Sequence, residues 1–411
     1  MPVVVTMKIA IIGAGAAGLA AAAALSTTHE VIVFEQGSTL GGLWQENINF
    51  TDTPLYPSLK TNLPIQLMGF FDFPFTQEFT TPGEGDYPGP EAVAKYLSAY
   101  ANHKRLVSLI RFDHQVIKVA PESTGWRLTL SKGKDVDVDA VVVCNGHYTQ
   151  PDLPQIDGIE LLPSPPLHAK DYVDPVRFAD RRVMVWGSNA SGIDLVREVS
   201  DSAKQVFWCG HGIDRGQYVD DLKNVELCSD PQVIQTGKII LTDKTELVEV
   251  DDVIFCTGYR YDFPFLHKRV LSFSPRRVEG LVQHILSDLH PSLAFIGLPY
   301  LVIPFPLFQI QSQWLAAAFA GRVDLQAARG SSPAVKPYNL QTPQGSDRHF
   351  HRLGETQINY LKELIKQAQL DPLPARFLSL IQAVHRIKQD HPTDFRTISL
   401  TQMASPDLPH A

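Results

Sequence analysis

Residues 8–35 read KIAIIGAGAAGLAAAAALSTTHEVIVFE. Lys8–Ile12 is a short apolar run closed by glycine, the pattern of a buried strand. Ala16–Ser26 is alanine-rich and reads as a helix, and Glu30–Glu35 returns to strand, so the stretch is a β-α-β unit. At its first joint, Gly13, Gly15 and Gly18 form G-x-G-x-x-G. Gly13 permits the tight turn, Gly15 lets backbone approach a pyrophosphate, and Gly18 lets helix and strand pack closely. The helix start adds free N–H groups and a positive dipole end. Glu35 ends the second strand, 22 residues after Gly13, where a carboxylate accepts hydrogen bonds from ribose hydroxyls. The run Ile9–Leu25 also has the apolar length of a signal segment after Lys8. A signal segment needs neither spaced glycines nor a strand ending in an acid, so a dinucleotide turn is the better reading.

The same grammar occurs a second time. Arg182–Trp186 reads as a strand, Gly187-Ser188-Asn189-Ala190-Ser191-Gly192 as a tight turn, Ile193–Val199 as a helix and Gln205–Cys209 as a strand. GAGAAG at 13–18 is echoed by GSNASG at 187–192, and DAVVVCNG at 139–146 by DDVIFCTG at 251–258. Two echoes in the same order imply two dinucleotide-binding folds. No carboxylate ends the second strand, which reads Cys209-Gly210-His211. Its absence removes repulsion against a 2'-phosphate and favours NADPH over NADH. His211 and Arg215 offer positive charge, with Asp214 between them.

Elsewhere, Pro90–His103 reads as an amphipathic helix, while Gln115–Val119, Trp126–Leu130 and Asp139–Cys144 read as strands. Thr51–Pro90 has few regular periods, and so long an irregular run is usually functional. The proline-rich Pro151–Pro166 reads as a linker. The chain has 411 residues, enough for two or three domains, with 44% hydrophobic and 19% charged residues. A net charge of −8 argues against a nucleic-acid partner. Four cysteines (Cys144, Cys209, Cys228, Cys256) lie far apart with no C-x-x-C. They fit a reducing compartment and no thiol redox centre. No further stretch has the length of a membrane anchor, so a soluble, cytoplasmic protein is expected. The histidines are scattered, no metal site is expected, and His351 and His385 read as solvated helix residues.

Further motifs carry a family resemblance. Gly41-Gly42-Leu43-Trp44, Lys60-Thr61-Asn62-Leu63-Pro64 with Phe71–Phe75, Cys256-Thr-Gly-Tyr259 with Phe263-Pro-Phe265, Gln311 with Trp314, and Arg352–Gln357 with Tyr360 resemble, in order, stretches of the flavin-containing monooxygenases, class B flavoproteins that oxygenate nitrogen and sulfur. Of the family's F-x-G-x-x-x-H-x-x-x-Y stretch only His168 and Tyr172 match, Leu162 and Ser164 standing where the pattern has Phe and Gly. Ala169 and the Cys-Gly-His end also depart from the common pattern, all on the nicotinamide side. The resemblance implies an α/β fold with two Rossmann-like domains, FAD-binding (1–163 and 283–411) and NAD(P)H-binding (164–282). The second is inserted in the first, and the C-terminal region is helical.

By the same resemblance, NADPH (NADH being the alternative) reduces FAD, O2 adds at flavin C4a, and a soft amine or sulfide takes the distal oxygen. The expected cofactor-binding residues are Gly13, Ala14, Gly15, Ala16, Ala17, Gly18, Glu35, Gly42, Leu43, Trp44, Thr61, Asn62 and Val116. On the nicotinamide side they are Tyr172, Gly187, Ser188, Asn189, Ser191, Gly192, Asp194, His211 and Arg215, and Gln311 completes the set. Asn62 is the catalytic candidate, its amide stabilising charge near the flavin, with an Asx turn before Pro64 as the plainer reading. Trp44 lines the flavin or is a core aromatic. Phe70, Phe71, Phe73 and Phe75 read as core before channel, and Leu301–Phe308 as a pocket wall. A Baeyer–Villiger enzyme, an NAD(P)H oxidase or flavin reductase, and a nucleotide-binding scaffold stay open as alternatives. So does a homodimer.

Overall fold

Each glycine turn lies where a buried strand meets a helix, and the two turns build the same layered unit twice. The computed structural model describes residues 5–46, 50, 53–212, 214–267, 269–331 and 349–400. The first unit contributes β1 (Lys8–Ile12), α1 (Ala16–Leu25), β2 (Glu30–Phe34), α2 (Pro90–His103), β3 (Ile110–Arg111) and β4 (Ala140–Val143). The second follows with β5 (Leu167–His168), β6 (Arg182–Trp186), α3 (Ala190–Ser200), β7 (Gln205–Cys209), β8 (Val225–Cys228) and β9 (Asp252–Phe255). The chain then returns through β10 (Leu281–Val282), β11 (Leu286–Ser287) and β12 (Leu293–Phe295), and ends in α4 (Pro304–Phe319), α5 (Gln357–Ala368) and α6 (Ala375–Asp390).

The first sheet runs β10-β11-β12-β4-β1-β2-β3, with β1 parallel to β2 and β4. Alternation along β1 divides its side chains between two layers. Ile9 and Ile11 enter the core beneath α1 and the C-terminal helices, while Ala10 and Ile12 join Val119, Trp126 and Leu128 of an antiparallel three-stranded sheet. The second sheet runs β8-β7-β6-β9-β5 and repeats the plan. Val183 and Val185 pack with Leu195, Val196 and Val199 of α3, and Met184 packs with Ile234, Ile239 and Leu241 of a second antiparallel sheet. Full burial of such a side chain is worth about 1.5–3 kcal/mol, so each unit has its own core. α1 is buried nearly all round, which explains its signal-like composition.

The repeated Asp has a structural cause. Asp139 Oδ2 accepts from Lys8 N at 2.7 Å, and Asp251 Oδ2 accepts from Arg182 N at 2.8 Å. Each acid pins the start of the first strand beside its own strand. The cysteines need a correction: Cys209 and Cys228 are cross-strand partners on β7 and β8, both free and buried. Sequence distance hid that adjacency.

The expected unit boundaries also move. Gln150–Pro151 pairs with Tyr259–Arg260 where the chain crosses between units. Ile156 is buried in the second unit and Ile234 N donates to Asp157 O at 2.9 Å, so the proline-rich segment is packed rather than a free linker. On the return, Tyr261, Phe263, Phe265 and Leu266 already belong to the first unit's core. We propose 152–260 as the inserted unit, because burial of these apolar side chains, not proline content, fixes its ends. The described part of 51–89 contains two short helical turns, Ile65–Met68 and the 3-10 turn Gln77–Phe79.

Candidate functional site

The first turn is shaped by the chain itself at two glycines and by something else at the third. A Cβ on Gly13 would lie 2.6 Å from Cys144 O, and one on Gly18 would lie 1.9 Å from Gly13 O. Gly15 is different. Its φ is −75°, and a Cβ there would meet only ordinary contacts, Gly42 Cα at 3.5 Å being the nearest. The protein's own packing does not require that glycine, whereas close approach of a ligand does. α1 has no side-chain cap and no acid in its first turn, which suits an anion at its N-terminus. Glu35 stands over the turn: Oε2 accepts from Ala14 N and Oε1 from Gly37 N, both at 2.8 Å. Gly41 N donates to Ala14 O at 3.0 Å, so Gly42, Leu43 and Trp44 are drawn against the same turn. Trp44 is half-buried against the core rather than enclosed by it. His114 N donates to Glu35 O at 2.8 Å, which brings the strand beginning at Val116 to the Glu35 end. These residues fit a dinucleotide.

The second turn copies this geometry. A Cβ on Gly187 would lie 2.2 Å from Cys256 O, and one on Gly192 would lie 2.0 Å from Gly187 O. α3 begins at Ala190 with Asn189 as an N-cap whose side chain makes no cap bond, and Ser191 is exposed beside it. Ser188 Oγ donates to His211 O at 2.5 Å. Arg215 is folded back, donating to Trp208 O with its guanidinium over the Trp208 ring. Asp230 was not expected here. Its Oδ2 lies 2.5 Å from His211 Nδ1, and its Oδ1 accepts from Trp186 Nε1 at 2.9 Å. The strand tip therefore does carry a carboxylate, supplied from another part of the chain. A missing acid therefore does not by itself favour NADPH over NADH at this turn.

Asn62 is exposed on the loop after the buried Thr61. Thr61 Oγ1 donates to Leu63 O at 2.9 Å, which shapes that loop. Arg396, from the C-terminal strap, donates to Asn62 Oδ1, and its Nη1 and Nη2 grip Asp194 of α3 at 2.9 and 3.0 Å. Tyr56 OH donates to Asp194 Oδ2 at 3.4 Å, and Ser58 Oγ donates to Glu198 of α3 at 2.6 Å. Asn62 and the second turn's helix thus meet through a shared cation. The Asn62 side chain accepts from Arg396, not from its own backbone, so the Asx-turn reading is not the one realised.

Several expected site residues sit elsewhere. Tyr172 is 1% exposed, edge-on to Tyr56 and stacked on Phe178, a core aromatic rather than a cofactor platform. His168 is buried. Its Nδ1 accepts from Lys170 N, so Nε2–H donates to Gly258 O at 3.1 Å and ties the two partial signatures together. Phe70 and Phe75 stack with Tyr100 and Tyr96 inside the core, as their reading as core expects, whereas Phe305 of the expected pocket wall is buried against Phe70 in that core.

Gln311 is fully buried. Its Oε1 accepts from Gly297 N at 3.0 Å, and its Nε2 donates to Tyr360 OH at 2.8 Å. Both amide ends are held inside the protein, so its expected cofactor contact becomes a strut between α4 and α5. Gln311→Leu leaves Gly297 N–H buried without that acceptor, a cost of about 1–3 kcal/mol. Thermal unfolding should fall for enzyme with and without flavin alike. A loss of FAD affinity with unchanged stability would restore the cofactor role.

His351 is corrected most sharply: it is buried, not solvated. Val278 N donates to His351 Nε2 at 3.0 Å, which makes Nδ1 the protonated nitrogen, and that Nδ1–H donates to His284 Nδ1 at 3.0 Å. His284 lies in a tight turn with Gln283, both at positive φ, and burial pushes its pKa down to about 4. Burial also holds His351 well below the ordinary value, with His284, His147 and Arg277 adding repulsion. Between pH 6.5 and 4 the unfolded chain binds protons that this folded pair refuses. The pair's stabilisation is complete above pH 6.5 and is lost as pH falls toward 4, about 3 kcal/mol for His284 alone. His284→Asn keeps a residue tolerant of positive φ and should flatten the acid limb of a Tm-against-pH curve. Parallel curves would dismiss the titration.

The Flavin-binding monooxygenase-like family profile matches residues 6–219 and 223–379. The chain belongs to the flavin-binding monooxygenase-like family. It is 35% identical over 394 residues to the Arabidopsis thaliana flavin-containing monooxygenase FMO GS-OX5, covering 89% of this chain and 86% of that one. A second Arabidopsis thaliana relative, FMO GS-OX-like 2, is 37% identical, covering 88% and 84%. Among solved structures, S-allyl-L-cysteine S-oxygenase from Allium sativum superposes with a TM-score of 0.84 at 31% identity, covering 97% and 96%. Tmm from Pelagibacter sp. strain HTCC7211 shares the fold, with a TM-score of 0.80 at 22% identity and coverage of 95% and 93%. This monooxygenase is thus an α/β flavoprotein of two Rossmann-type units, and its family uses FAD and NADPH. Among the described residues no helix is long and apolar enough to cross a membrane, and no group of three His, Cys, Asp or Glu is placed to hold a metal.

Proposed function

We propose that this monooxygenase oxygenates the sulfur of a small thioether, or a comparably soft amine nitrogen, with NADPH as reductant. The balance is NADPH, H+, O2 and sulfide in, and NADP+, water and sulfoxide out. FAD at the first turn supplies the hydride acceptance and oxygen activation that no side chain can provide. The chain's own residues bind and aim. Glu35 and the α1 N-terminus would hold one dinucleotide and the α3 N-terminus the other, and Asn62 presents an amide on the loop tied to α3 through Arg396. The observation that carries the reading is this exposed amide, fixed on a loop that contacts the second turn's helix. Sulfur is favoured by the resemblance to an S-oxygenase at 31% identity.

His211 beside Asp230 supports acceptance of NADH as a weaker second reductant, because the acid offsets the imidazole's attraction for a 2'-phosphate. The free cysteines fit the cytoplasm, which we propose as the location. The test is stoichiometry: S-allyl-cysteine or a simple alkyl thioether should yield close to one sulfoxide per NADPH oxidised. Hydrogen peroxide formed one-for-one with NADPH, with no product from sulfides or amines, would leave an oxidase instead.

A further inference from the structure

We propose that Arg396 is a positioning residue that aims the Asn62 amide and makes that aim depend on the docking of α3. This rests on the catalytic reading of Asn62 above. Arginine has only donors, so whatever amide atom faces it must be the oxygen. Asn62 Oδ1 accepts from Arg396 Nη2 at 2.5 Å. Because the amide is planar, holding the oxygen turns Nδ2–H2 to the opposite side, and Nδ2 makes no hydrogen bond among the described residues. Two donors are left facing away from the strap.

The guanidinium is itself fixed from three directions. Nη1 and Nη2 bind both oxygens of Asp194 at 2.9 and 3.0 Å, and Nε donates to Thr61 O at 3.2 Å. Below it lies the Phe395 ring, 4.8 Å away, which is edge-on to Tyr87. Leu400 N and Ser399 Oγ tie the strap to Asp86 Oδ2 at 2.8 and 3.3 Å. Lys388 Nζ holds the Asn62 backbone from the other end, donating to its carbonyl at 2.6 Å. Asp194 belongs to the helix that starts at the second glycine turn. A shift of that helix therefore removes Arg396's anchor and frees the amide to rotate. A lysine at 396 has no planar fork, so it cannot serve Asp194, Thr61 and Asn62 together.

The test uses full-length, FAD-loaded enzyme with Arg396→Lys, Arg396→Ala, Asn62→Ala and the Arg396→Ala/Asn62→Ala double variant. Sulfoxide formed per NADPH should fall about tenfold in both Arg396 variants. The double variant should be no worse than Asn62→Ala, because Arg396 acts through Asn62. Additive losses, or an Arg396→Lys enzyme with wild-type coupling, would overturn the proposal. A second readout needs no turnover: amide hydrogen exchange in Arg396→Lys should rise together in residues 56–62 and at the start of α3. Unchanged exchange in both overturns the coupling of the two segments. If wild-type enzyme makes no oxygenated product, the functional reading fails, and the exchange result still decides the strap.

Discussion

Gly18→Ala is expected to give a colourless protein, whereas Gly192→Ala stays yellow but is no longer reduced by NADPH. In each case the added Cβ meets a backbone oxygen rather than a movable side chain, at 1.9 Å from Gly13 O or 2.0 Å from Gly187 O. Relief requires the helix start to withdraw from the turn by more than an ångström, which disperses the N–H groups that face a pyrophosphate. Overpacking of this kind costs about 1–3 kcal/mol in an adaptable core, and a backbone clash at so short a distance exceeds that. The effects separate because each glycine is buried in its own unit, with its own helix and parallel sheet.

Gly15→Ala is the control for misfolding. Its Cβ finds ordinary contacts inside the protein, so apoprotein stability should hold while FAD affinity falls about a hundredfold or more, as close backbone approach is blocked. Flavin absorbance, FAD titration of apoprotein and anaerobic NADPH reduction read the three variants. Wild-type reduction of Gly192→Ala would sink the two-site reading.

What the sequence discloses here is backbone-level and local. Gly13, Gly18, Gly187 and Gly192 are legible because a turn between strand and helix admits no side chain, and the requirement lies within a few residues. The Asp139 and Asp251 echo is legible for the same reason, since each acid pins a neighbouring strand. Motif membership said less about what a side chain does. Gln311 and Tyr360 form an internal strut, and His168 and Tyr172 hold the second unit together.

The residues that sequence reading missed act across long separations and follow no period. Asp230 reaches His211 from the link after β8, Arg396 reaches Asn62 across most of the chain, and His351 finds His284 only in the fold. A buried histidine pair and a surface one are written with the same letters. Two signals were available for Arg396: an aromatic beside it in Phe395 and a place just past the last helix, after His391-Pro392. Neither identifies a partner.

Asn62→Asp separates the two things that Asn62 does. The carboxylate keeps an oxygen for Arg396, and with it the strap and the contact with Asp194, so thermal stability should be unchanged or raised. It lacks the two amide donors and adds a negative charge where developing charge must be stabilised. Loss of one such donor typically costs about 10²–10³ in rate. Sulfoxide formation should therefore fall by about a hundredfold while NADPH oxidation continues, with hydrogen peroxide approaching one per NADPH. Asn62→Ala removes both functions and should show the same uncoupling together with a lowered Tm. If Asn62 were only a loop residue, the order would reverse: Asn62→Ala would lose stability and keep its coupling, and Asn62→Asp would match wild type in both. Sulfoxide yield, peroxide yield and Tm, measured on the same preparations, decide between a catalytic amide and a structural one.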